Sequence, residues 1–96
     1  MNIKIKIFDI FHLAFGYSVF VGKFMGKTPR RIDGHIANLI VEGNVYLEDM
    51  PIGGIMMGGR HPDGHVGIAM MSTINVTSEF IRDRDCYLYL RKVEII

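Results

Sequence analysis

Residues 11–26, FHLAFGYSVFVGKFMG, decide the fold. Apolar side chains fall on more than one face of each half, and Phe15-Gly16 punctuates the middle. The stretch therefore reads as two strands joined by a tight turn and buried in a small barrel or sandwich. In the second half Tyr17, Val19, Phe20, Val21 and Phe24 are β-branched or aromatic, the residue types that suit a pleated surface. Gly22 interrupts that run and marks a bend or a close backbone approach, as at a barrel corner.

Upstream, Ile3, Ile5 and Ile7 alternate with Lys4 and Lys6, the period-two pattern of a strand with its lysines in water. Phe8 and Ile10 then take the lysine phase and Asp9 the isoleucine phase. Either the strand becomes buried on both faces or it bulges near Phe8-Asp9.

Downstream, residues 26–34 (GKTPRRIDG) read as a loop, because Gly, Pro and Asp punctuate them. Residues 35–41 and 44–47 read as a hairpin joined at Glu42-Gly43-Asn44, with Gly43 and Asn44 supplying the positive φ angles. Residues 50–57 are apolar but broken by Pro51, Gly53 and Gly54, which points to an edge or bent segment. Pro62-Asp63-Gly64 is a strong turn signal. Strands follow at 65–71 and 74–76, then one helical turn capped by Thr77 or Ser78. A closing strand covers 86–96, where Tyr87 and Tyr89 alternate with Leu88 and Leu90. Seven or eight short strands, without a sustained helical period, predict an all-β fold.

Ninety-six residues form one domain by length, since domains run to ~100–200 residues. A hydrophobic fraction of 49% against 22% charged supports a globular core and excludes disorder. Eleven basic and ten acidic residues leave a formal charge of +1, too little to gather nucleic acid or anionic lipid by a long-range field. Cys86, the sole cysteine, has no partner for an internal disulfide and fits a reducing cytoplasm; it reads as a small buried apolar residue. The first ten residues lack the apolar run and small-residue cleavage site of a signal peptide. No stretch reaches the roughly 18 apolar residues of a membrane helix, so a cytoplasmic protein is expected.

Four groups of residues hold the candidate chemistry. Gly22, Gly26, Lys27 and Thr28 imitate a phosphate loop, but three residues separate the glycines where four are required, and Pro29 leads into a turn instead of a helix. His61, Asp63 and His65 bring two imidazoles and a carboxylate together beside Arg60, all of them types that bind metals or carry hydrolytic chemistry. Lys23, Lys27, Arg30 and Arg31 can hold phosphates, with Tyr17, Phe20 or Phe24 as stacking faces for RNA bases. Met50, Met56, Met57, Met70 and Met71, among glycines, read as core filler or as an adaptable contact surface. His12 reads as a satisfied interior or rim histidine. His12 and His35 are the remaining imidazoles that a metal site at His61 would have to enlist.

The stretch from Phe11 to Lys23 also resembles the start of the second domain of elongation factor Tu and related translational GTPases. That β-barrel domain opens with a Phe-x-Ile/Leu strand, a glycine-containing turn, a Val-Val-type strand and a Gly-basic-Val step. Phe11, Leu13, Val19, Phe20, Gly22 and Lys23 stand at matching spacing. Gly64, His65, Val66, Gly67 and Ile68 are similar to the family's Gly-Asp-x-Val-Gly-Leu segment with one residue missing. No GTPase domain lies within these residues, so GTP hydrolysis is not inferred, and the resemblance implies a barrel used for binding.

The sequence thus leads to a single small β-barrel domain, residues 1–96, closed or partly open, with about six to eight strands. It is expected to act as a non-catalytic binding module without cofactor, catalytic or metal residues. Its expected partner is a protein, a copy of itself included, engaged through the Met/Gly surface or an open strand edge. The first alternative is RNA, not DNA, on the loop holding Lys23, Lys27, Arg30 and Arg31. The second is a small metal-dependent or hydrolytic enzyme at His61, Asp63 and His65.

Overall fold

In the computed structural model, which describes residues 3–14, 16–26, 29, 32, 34–56 and 64–93, the isoleucine/lysine alternation builds β1 (Ile3–His12). Ile5 and Ile7 point inward and are buried. Pairing with β2 (Ser18–Phe24) runs through Ile7 opposite Gly22 and resumes at Asp9 opposite Val21, so Phe8 is the extra residue of a β-bulge. Of the two expectations for Phe8-Asp9, the bulge is the one realised. It returns Ile10 to the interior and turns Phe11 outward.

Gly22 shows the close approach expected of it. A Cβ there would stand 2.4 Å from the Lys6 carbonyl oxygen and 2.8 Å from Ile5 Cγ2. The turn between β1 and β2 closes through Leu13 N–H to Tyr17 O (2.7 Å) and Gly16 N–H to Leu13 O (3.1 Å). Phe15 lies outside the described residues. The hairpin is not buried throughout, because Phe11, Leu13, Tyr17 and Met25 are exposed.

β3 (His35–Val41) turns directly into β4 (Asn44–Met56), with Val41 paired to Asn44. The positive φ angles belong to Glu42 (51°) and Gly43 (80°), one residue earlier than expected, because two-residue hairpin turns place both loop residues there. Residues 44–47 and 50–56 form one strand of 13 residues instead of two. It pairs with β3 along its first part and with β5 (Val66–Met70) along its last, so it is the bent segment expected, with each part paired on one side. Register shifts opposite Ala37 and Leu39, and again at Ile52/Gly54, supply the bend. At the first shift Asp49 has φ 54°, and its N–H donates to Asn38 Oδ1 at 2.9 Å.

After β5 the chain 71–77 runs without strand pairing, so the strand expected at 74–76 is not formed. Ile74 and Val76 are buried there all the same. Thr77 caps α1 (Ser78–Arg82) by accepting the Phe80 N–H at 3.1 Å. β6 (Cys86–Lys92) then closes the barrel in the antiparallel order β1-β2-β5-β4-β3-β6. The six strands among the described residues fall within the expected range, and in the closed order each has a neighbouring strand on both sides. The interior holds Ile5, Phe20, Leu39, Ile68, Leu88 and Leu90, each at most 1% exposed. Ile32, Ile74, Val76 and Ile81 join the same cluster from outside the strands, and the register puts Ile32 at one mouth and the other three at the opposite mouth.

Candidate functional site

Of the residues singled out from sequence, Lys27, Arg30, Arg31, Arg60, His61 and Asp63, together with Met57, lie outside the described residues. Lys23 is exposed on β2. His65 precedes β5 and stacks on the bulge residue Phe8, with ring centroids 4.4 Å apart and planes 18° from parallel. Phe20 and Phe24 are 0% and 8% exposed inside the barrel, so they cannot stack on bases. Tyr17 lies at the other end of β2 from Lys23. The aromatic partners expected for Lys23 are therefore buried or at the far end of its strand. Among the described residues no group of three or more His, Cys, Asp and Glu side chains is placed to hold a metal.

The methionines divide by strand phase. Met50 and Met70 are buried in the core, whereas Met56 and Met71 are exposed. The outward residues of β1, β2, β5 and β4 meet in two rows. Phe11, Val19, Ala69 and Gly54 make one; Asp9, Val21, Gly67 and Met56 make the other. Val19 is outward yet 0% exposed. A Cβ at Gly67 would stand 3.2 Å from Val19 Cγ1 and 3.3 Å from Met56 Cβ, so these side chains flank the glycine across three strands. Leu13 and Tyr17 continue the phase of Phe11 and Val19 into the turn, and Met71 continues that of Ala69. Among the described residues this surface bears no ionisable carboxylate or amine apart from Asp9 at its rim.

The opposite flank differs in every outward position. Lys4 and Lys6 on β1 lie beside Tyr89 and Tyr87 on β6, and Lys23 lies beside Lys6. Lys4 Nζ is 4.3 Å from the Tyr87 centroid and 5.4 Å from that of Tyr89, and Lys6 Nζ is 4.5 Å from Tyr87. These are cation–π distances. Lys6 also donates to Asp85. That hydrogen bond, opposed by partial burial, holds the ammonium above the ordinary lysine range.

Two polar clusters fasten the chain after β5 to β1. Val76 O only accepts, so His12 Nε2 carries the proton and donates to it at 3.0 Å. His12 Nδ1 then accepts from Ser18 Oγ at 2.7 Å. Ser18 Oγ in turn accepts the Ile74 N–H at 2.7 Å. A serine next to a histidine suggests a nucleophile, but Ser18 is 0% exposed and out of a substrate's reach. His12 is thus the satisfied rim histidine expected. In the second cluster Asp9 accepts from Ser78 Oγ, from Arg82 at 2.9 Å and from the Ile10 N–H at 2.8 Å. Burial opposes its ionisation, but these bonds outweigh it and hold the carboxyl below the usual range. Burial pushes the Cys86 thiol up, in keeping with the buried apolar cysteine expected.

Sequence reasoning noticed the outward Lys4, Lys6, Tyr87 and Tyr89 without joining them. Their shared alternation was the available signal, and only the pairing of first strand with last makes it one surface. Among the described residues no helix is long and apolar enough to cross a membrane. Comparison with protein-family models, curated proteins and solved structures gave no match to this chain.

Proposed function

We propose that this barrel is a non-catalytic binding module that docks a second copy of itself through the outer face of β1, β2, β5 and β4. The observation behind this reading is the surface around Phe11, Val21, Met56 and Met71, uncharged among the described residues apart from Asp9 at its rim, whose methionines and glycines can adapt to a facing copy. Contiguous apolar surface of this kind marks interaction sites in water-facing proteins. A formal charge of only +1 means that two copies approach with little mutual repulsion. The resemblance to the second domain of translational GTPases, a barrel used for binding, points the same way.

Sedimentation equilibrium from ~10 μM to ~1 mM, a span that covers weak specific complexes, tests the reading. A monomer–dimer equilibrium is expected, with Met71→Glu shifting it at least tenfold towards monomer. A monomer throughout the span would refute it.

A further inference from the structure

The flank of β1 and β6 carries a second, independent site. We propose that it binds single-stranded nucleic acid, with Tyr87 and Tyr89 stacking on bases and Lys4, Lys6 and Lys23 holding phosphates. Both tyrosines project from one face of β6, two residues and so about 7 Å apart. Each can take a base of its own. Tyr89 is 42% exposed and Tyr87 half-buried, so ring surface is available without unfolding. The ammonium groups of Lys4 and Lys6 already lie over these rings. An exposed cation–π contact is weak, ~0.5–1 kcal/mol, and an arriving base displaces it while the lysine turns to a phosphate.

Charge and shape both favour this ligand. Among the described residues Lys4 and Lys23 have no ion-pair partner, and Asp85, paired to Lys6, is the acid competing at the centre of the row. An acidic peptide would use the lysines but gain little from two neighbouring ring faces. A duplex hides its base faces. Unstacked bases on a phosphate chain use both features. The chain's small net charge is no obstacle, because phosphate contacts are made locally and two or three suffice for weak, salt-sensitive binding.

Fluorescence anisotropy with labelled oligo-U and oligo-dT of ~12 nucleotides is the test. Saturable binding to either is expected, about tenfold weaker on raising salt from ~50 to ~200 mM, as two or three phosphate contacts require. The two probes separate an RNA ligand from a DNA one. Tyr89→Ala, at an exposed position that the fold does not need, weakens binding at least about fivefold, whereas Tyr87→Phe and Tyr89→Phe retain it because the ring face remains. Asp85→Asn releases Lys6 and tightens binding by up to about fivefold. Absence of saturable binding to both probes overturns the proposal. So does equal affinity for a duplex or for oligoglutamate, or affinity indifferent to Tyr89→Ala.

Discussion

The two outer flanks of this barrel rest on the same interior and obey the same two-residue alternation, yet they offer opposite chemistry. The outward residues of β6 and of β1 before its bulge are Lys4, Lys6, Tyr87, Tyr89 and Arg91; those of β5 and of the first part of β2 are Val19, Val21, Gly67 and Ala69. The inward positions are mostly of one kind, with isoleucine, leucine, phenylalanine or methionine on either side. Folding is therefore set by one phase of the pattern, and the other is left to determine the chemistry of the surface. The Phe8 bulge lets β1 serve both flanks, because the outward phase is lysine before it and Phe11 after it.

Gly22 lies where the two flanks meet, between Val21 on one and Lys23 on the other. Gly22→Ala drives a Cβ into the Lys6 carbonyl and should destabilise the barrel by about 3 kcal/mol, the upper part of the overpacking range. A urea midpoint that hardly moves would show that the strands separate more easily than the register implies.

Ser18→Ala attacks the end of the barrel beneath the apolar flank. It leaves the buried Ile74 N–H and His12 Nδ1 without their shared hydroxyl and should cost about 2 kcal/mol. Hydrogen exchange should show residues 72–76 opening first, with the Lys/Tyr flank unaffected.

Met71→Glu and Lys4→Glu separate the flanks most cleanly. Both positions are solvent-accessible, so each change should alter stability by no more than ~0.5 kcal/mol. Met71→Glu alone should abolish association, and Lys4→Glu alone should weaken oligonucleotide binding.

Asp9, at the rim of the apolar flank, gives a smaller effect that depends on pH. Its folded pKa lies below its unfolded one, so the stability it contributes is present above about pH 4 and is lost as pH falls through the folded value. Arg82 is well exposed, so the contribution is at most ~1 kcal/mol. Asp9→Asn should remove that part of the acid sensitivity in thermal melts followed from pH 6 downward.

Much of the barrel is legible in the chain because local chemistry and global topology agree. Ile5 and Ile7 alternate with lysines, Gly43 follows Glu42 in a two-residue turn, and Thr77 precedes the one helical turn. What was not legible depends on distant pairing. Pro51, Gly53 and Gly54 point to an edge or bent segment, and it is β5 and the Met71 N–H, which donates to Pro51 O, that keep the bent segment in the sheet. Ile74 and Val76 look like a strand because they alternate, whereas burial at the barrel mouth is what demands them. The binding surfaces were half visible. Tyr87 and Tyr89 were seen to alternate, but neither β1 beside β6 nor the division of the methionines follows from spacing. The open strand edge expected from sequence as one of two contact routes gives way to a closed strand order, which no single strand reveals.

Concentration-dependent amide shifts, recorded by NMR across the dimerisation range, test the docking face most directly. Val19, Val21, Gly67, Ala69 and Met71 are predicted to shift together with increasing concentration while Lys4, Tyr87 and Tyr89 stay in place. Shifts confined to the lysine–tyrosine flank, or no shifts at all, would contradict the assignment of the apolar flank as the surface on which this barrel docks.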